Sequence, residues 1–271
     1  MTARLALVRG RVLPNGWVDL LRQCGLFGGA YLLYRLVEGL VGGGQSHAFI
    51  SVAFRHANDL ISLERSLHVF VEPTIQSWAM SSHVLIVIAV YIYINAQTTI
   101  LIALLLYLYI AHNRSYYFLR NKLFVGMAIG LIGYGLFPTA PPRFLQEWGF
   151  IDTINQITGV SGNSTIANVF FNPYAAVPSM HVACAVMLGW TLARLVRRRV
   201  ARVFWALWPL FITFMTVITA NHFLIDAVLG LLVAGISLVA ARGLAALRPH
   251  AWTFRTAAPN AAAQGSTVPA T

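Results

Sequence analysis

The sequence predicts an all-α fold, a polytopic membrane bundle of about six transmembrane helices with one interfacial amphipathic helix beside it. Composition, hydropathy patterning and charge placement each lead there. The chain is 58% hydrophobic and 10% charged, whereas about a quarter of a soluble domain is charged. Its mean hydropathy is +0.69. Apolar runs lie near 24–42, 83–112, 121–138, 179–196, 202–219 and 222–243, each close to the roughly 20 residues that a span needs.

Charge placement supplies the direction. Lys122 is the one lysine among 19 basic residues, set against 8 acidic ones. With six spans and an inside amino terminus, one side receives Arg4, Arg9, Arg11 and Arg22, then Arg114, Arg120 and Lys122. The same side receives Arg194, Arg197, Arg198, Arg199 and Arg202, then Arg242, Arg248 and Arg255. Cationic loops are retained in the cytoplasm, so both termini are expected there. The basic residues sit between apolar runs and form no basic-aromatic stripe, which argues against nucleic acid as a partner. The preference for Arg over Lys, with abundant Ala, fits a high-GC bacterium and hence its plasma membrane.

The elements follow in order. The first run opens near Cys24, carries Arg35 and Glu38, and has no small-residue cleavage site after it, so it is expected to stay as a span. Cys184 lies in a span of opposite direction, and the two cysteines should sit at different depths without a disulfide. Residues 58–78 place Leu60, Leu63, Leu67, Phe70 and Trp78 at near-helical spacing with Asp59, Glu64 and Arg65 between them. This reads as the interfacial helix, bent at Pro73. The run at 83–112 is interrupted by Asn95, Ala96 and Gln97, and crosses once or twice, Thr98–His112 being the better crossing half. Gly126 and Gly130 in the third span permit close helix packing. The connection 138–177 is aromatic and long, as functional lids are. One catalytic domain, 1–255, is expected, with a disordered tail at 256–271.

Three short stretches carry chemistry. His222 and Asp226 head the last run four residues apart, a spacing that puts them on one helical face. An intramembrane carboxylate costs about 2.5–3.5 kcal/mol on insertion scales. Either it orients a nucleophilic histidine, or the two form a structural pair tying helices together. In Pro178-Ser179-Met180-His181, Pro178 and Ser179 are suited to opening a helix. Its free N–H groups, at Ser179 and Met180, form a natural phosphate cradle with His181 pointing at the bound group. Arg143, in Gly135-Leu136-Phe137-Pro138-Thr139-Ala140-Pro141-Pro142-Arg143-Phe144, is placed to clamp a phosphate or to meet lipid headgroups. His181, His222 and Asp226 all fall on the outer face in this topology. The other histidines share no metal-ligand spacing, so neither a metal nor another cofactor is expected.

The order of these motifs resembles the type 2 phosphatidic acid phosphatase superfamily, six-helix membrane enzymes that form a phosphohistidine without metal. Phe137-Pro138-Thr139-Ala140-Pro141-Pro142, Pro178-Ser179-Met180-His181 and Asn221-His222-Phe223-Leu224-Ile225-Asp226 are most similar to its inositol phosphorylceramide synthase branch. The resemblance implies catalytic roles for His181, His222 and Asp226 and phosphate binding by Arg143. It covers about 120–243 in motifs and the whole chain in span pattern. The chain departs from the phosphatase pattern: no lysine precedes Arg143 at the expected spacing, Met180 replaces a glycine, and Met215 and Thr216 stand where Ser and Arg would precede His222. A monoester carries nearly two charges and a diester one, so a cation-poor site favours a phosphodiester.

The expected activity is that of a lipid phosphotransferase or phosphohydrolase acting on a phospholipid or polyprenyl phosphate, with transfer of an inositol-phosphate-like headgroup favoured. The acceptor is a lipid, a polyol or water. The alternatives are a lipid phosphate monoester or diphosphate phosphatase, and a non-enzymatic transporter using His222–Asp226 as a proton relay.

Overall fold

The computed structural model describes residues 15–41, 46–159 and 172–248. The tail, Arg4, Arg9, Arg11, Arg255 and residues 160–171 of the long connection lie outside the described residues. Within them the elements are α1 (Gly16–Val41), α2 (His47–Ser66), α3 (Glu72–Met80), α4 (His83–Asn95), α5 (Leu101–Ala111), α6 (Asn113–Leu136), α7 (Thr153–Thr158), α8 (Met180–Leu195), α9 (Arg199–Ile218) and α10 (Leu224–Leu247). Among the described residues, β structure is limited to an isolated parallel bridge between Thr139 and Ala175.

This is an all-α membrane bundle. The run from His83 to Ala111 is one 29-residue helical stretch, about 43 Å long at 1.5 Å per residue. It is long enough to cross a hydrocarbon core of about 30 Å once. Asn95–Gln97 do not reverse the chain; they lead into a single wide turn, Ala96–Ile100, that joins α4 to α5. By length and composition, His83–Ala111, α9 and α10 can each cross a membrane, and α8 is a shorter apolar helix. The apolar side chains left exposed on α9 and α10, such as Val203, Leu207, Leu210, Leu231 and Val239, suit contact with lipid.

Two expectations about helix limits need correction. The amphipathic stretch 58–78 is not one bent helix. It is the end of α2 and most of α3, and the break falls before Pro73, around His68 at φ 58°. Pro73 lies in the first turn of α3, where its missing N–H costs nothing. The third span begins earlier than 121, at Asn113. Arg120 and Lys122, expected in a polar loop, are buried inside α6. Arg120 is accommodated by donating to Asn121 Oδ1 at 2.7 Å and to Gln23 of α1.

α8 lies at the centre, packed on α6, α9 and α10. Small residues make this possible. A Cβ on Gly130 would stand 2.9 Å from Met180 Sδ, and one on Gly230 would stand 2.5 Å from the Ser179 carbonyl oxygen. The G-x-x-x-G of α6 thus receives the Met180 side chain, and Gly230 lets the start of α10 meet the start of α8.

Candidate active site

The site forms where the starts of α8 and α10 meet the ends of α1 and α6. Ser179 is the N-cap of α8, its hydroxyl accepting the Val182 N–H at 3.4 Å. Its own N–H donates to the Asp226 carbonyl at 3.2 Å, binding the two helix starts together. His181 follows in the first turn.

His222 does not sit on α10, as the i, i+4 reading expects. It lies in the turn from α9, where Ala220 adopts φ 52°, and α10 begins only at Leu224. Asp226, in the third helical position, reaches back instead. Its Oδ2 accepts the Phe223 N–H at 3.0 Å and lies 3.4 Å from His222 Nδ1. A carboxylate only accepts, so Nδ1 is the donor in this pair. Asp226 is 0% exposed and His222 4%. The second oxygen of Asp226 has no partner.

The two histidine rings lie side by side, centroids 5.6 Å apart and tilted by 57°, and Tyr93 of α4 stacks on His181 at 4.3 Å. Both histidines line a small cavity of about 50 Å³. Two residues to which the sequence reading gave no role line it as well: Arg35 and Glu38 of α1, joined by a 2.8 Å ion pair. Their spacing, one helical turn inside an apolar span, was the signal available. Tyr34, Tyr134, Gln97 and Asn172 add further polar groups to the wall, and the buried Asn172 Nδ2 is unpartnered.

Arg143 is buried next to the cavity rather than in its lining. Its N–H donates to the Ala220 carbonyl at 2.8 Å, its guanidinium lies 3.5 Å from Asp152 and 4.6 Å from the Phe144 ring centroid, and its Nε is unpartnered. Ser179 and Met180 are buried and outside the lining, with the Met180 side chain turned toward α6. The residues thus fall into two groups. His181 and His222 face the cavity, while Asp226, Arg143, Ser179 and Met180 stand behind it.

The start of α10 is held by two further carboxyl groups: Glu64, which the sequence reading placed on the polar side of the interfacial helix, and Glu72, to which it gave no role. Glu72 of α3 accepts the Leu224 N–H and Glu64 of α2 accepts the Ile225 N–H, each at 2.9 Å. Both side chains are fully buried. With Asp226 on Phe223, three successive orphan donors of the first turn are satisfied by three carboxyls. Caps of this kind contribute about 1 kcal/mol each. Burial and the neighbouring Glu72 push the Glu64 carboxyl up to about 9, so the pair holds a proton at neutral pH.

A family model described as the PAP2 superfamily matches residues 58–240. The chain belongs to the PAP2 superfamily. That places it among lipid phosphatases and phosphotransferases, and the matched region holds His181, His222, Asp226 and Arg143. Arg35 and Glu38 lie outside it. The chain is also similar to a phosphoinositol dihydroceramide synthase of Bacteroides thetaiotaomicron, 29% identical over 127 residues, covering 40% of this chain and 39% of that protein. The match therefore spans well under half of that relative. No solved structure matches.

Proposed function

We propose that this PAP2 chain is a lipid phosphotransferase that moves a phosphoryl-linked headgroup from a phosphodiester lipid to a hydroxyl acceptor through a phosphohistidine. The observation that carries this is the pair of adjacent histidines, one held by a buried aspartate, at a polar cavity inside an apolar bundle. His222 Nε2 attacks phosphorus and the bond to the lipid alkoxide breaks. His181, as imidazolium, gives that alkoxide its proton. The acceptor hydroxyl then loses its proton to neutral His181, attacks phosphorus and displaces His222. Arg143 and the positive end of α8 at Met180 stabilise charge on the phosphoryl oxygens from behind the cavity wall, while the Ser179 N–H, spent on the Asp226 carbonyl, takes no direct part.

The diester preference rests on charge. Arg35 is paired with Glu38 and Arg143 stands beside Asp152, so little net positive charge is offered to a doubly charged monoester. The name of the Bacteroides relative also favours headgroup transfer. Water in place of the acceptor would make the same machinery a phosphohydrolase. The same residues would work at the outer face, with both termini in the cytoplasm, if cationic loops set the topology.

The test is incubation of purified protein with phospholipids, polyprenyl phosphates and lipid phosphate monoesters, with and without inositol, glycerol and lipid alcohols. Products are identified by mass spectrometry. Transfer from a diester, with an acid-labile phosphoryl group trapped on His222, is the expected result. Turnover of monoesters alone would replace this reading by the phosphatase one.

A further inference from the structure

A second cavity lies at the opposite end of the same helices. Arg194 is thirteen residues beyond His181 on α8, about 20 Å along a helix. This cavity of about 380 Å³ is lined by Arg114 and Lys122 of α6, Trp190, Thr191 and Arg194 of α8, and Arg242 of α10. Four cations thus face one space, and no carboxylate is among its lining residues. Among the described residues none of the four forms a salt bridge.

A topology signal explains basic residues at helix ends but not this arrangement. Such a signal works from any exposed position. Lys122 is instead 2% exposed, with Nζ donating to Thr191 Oγ1 at 3.0 Å and lying 5.0 Å from the Phe118 ring centroid. Burying an ammonium among neutral partners, in a cavity that three guanidinium groups also line, is unfavourable, and a bound anion would offset that cost.

We infer that this cavity binds the phosphate of an anionic lipid headgroup, with Lys122 at its floor and Arg114, Arg194 and Arg242 at its rim. Guanidinium groups match phosphate oxygens in paired geometry, and the ammonium supplies a point charge beneath them. Trp190 is half-exposed at the rim, with Arg194 4.6 Å from its ring centroid. An aromatic ring in that position suits the glycerol level of a membrane lipid better than a soluble ion. The ligand gathers the far ends of α6, α8 and α10. Two of these helices, α8 and α10, carry His181 and Asp226 in their first turns. The site is distinct from the histidine cavity and stands whether or not the proposed transfer is correct.

The experiment uses the full chain in phosphatidylcholine nanodiscs, with phosphatidylglycerol or inorganic phosphate added. Bound lipid is read by native mass spectrometry and stability by tryptophan fluorescence on heating. One phosphatidylglycerol should stay bound to the wild type and to His222→Ala, and should raise Tm by several degrees. Arg194→Gln/Arg242→Gln, changed only at exposed positions, should bind it at least tenfold more weakly, and Arg242→Lys should recover part of the loss. Lys122→Met should lose binding as well, and the rim variant keeps the test decisive if that protein does not fold. Equal retention by wild type and rim variant overturns the site. A shift of the same size from millimolar inorganic phosphate, sensitive to the same substitutions, overturns the lipid as its source.

Discussion

The two ends of the helix bundle handle charge in opposite ways. At the histidine end both guanidinium groups near the cavity have a carboxylate beside them, Arg35 with Glu38 and Arg143 with Asp152, and His222 is held by Asp226. At the arginine end, Lys122, Arg114, Arg194 and Arg242 face one cavity with no carboxylate in its lining. A transferase must release what it binds, so a phosphoryl site that is nearly neutral before substrate arrives suits turnover. A site whose cations lack mates suits a resident anion. The same three helices can serve both purposes because about 20 Å of apolar helix separates them.

The comparison breaks first at His222. His222→Ala should lower transfer by at least about 10³-fold while the protein stays folded, because it removes the proposed covalent nucleophile. Asp226→Asn should cost about 10²–10⁴-fold, since an amide can present its N–H to Nδ1 and turn the ring to the wrong tautomer. Near wild-type turnover by either variant on an identified substrate rules out the phosphohistidine route. Excess EDTA should leave turnover unchanged, and a loss reversed by zinc or magnesium would reveal a metal-dependent step.

A smaller effect sharpens the contrast between the ends. Glu38→Gln removes the negative charge beside Arg35 and makes the histidine cavity more like the arginine one. Its preference for phosphate monoesters over diesters should rise about tenfold in kcat/KM, one unit of charge in a partly buried site being worth more than 1 kcal/mol. An unchanged ratio would mean that Arg35 and Glu38 do not meet the phosphoryl group. The sidedness of the two ends can be read separately. In a variant without Cys24 and Cys184, Glu147→Cys should react with an impermeant thiol reagent in intact cells, and Arg198→Cys only after permeabilisation. The opposite pattern would invert the proposed orientation.

Much of this was legible in the chain because hydropathy and special residues act locally. The last three apolar runs mark α8, α9 and α10 to within a few residues, whereas α1 and α6 begin about two turns before theirs, and Ser179 caps α8 as its position before an apolar run suggests. The family follows from three short motifs. What was hidden depends on contacts distant in sequence. Glu64 and Glu72 look like the polar side of an interfacial helix until α10, some 150 residues later, places its first N–H groups on them. Arg120 and Lys122 look like loop charges until α1 and α8 cover them. His222 looks helical because its spacing to Asp226 is also the spacing by which a third-position carboxylate reaches back over a helix start. In each case the pattern permitted two structures, and long-range packing selected one.

The smallest expected effect tests how the histidine end is held. With its carboxyl pushed up to about 9 by burial and by Glu72, Glu64 is protonated in the fold at neutral pH and ionised in the unfolded chain. A folded value above the unfolded one means that its contribution to stability is full below about pH 4.5 and is lost progressively as pH rises through about 9. Glu64→Gln keeps an oxygen for the Ile225 N–H and an N–H for Glu72, so turnover at pH 7 should stay within about twofold of wild type. Its Tm should fall less than that of wild type between pH 5 and 9, and the loss of activity toward pH 9 should be blunted. Glu64→Ala removes the cap and should cost about 1–2 kcal/mol at any of these pH values. If Glu64→Gln follows the wild-type pH curve, the proton belongs elsewhere, and the start of α10 is held by geometry alone rather than by a protonated carboxyl pair.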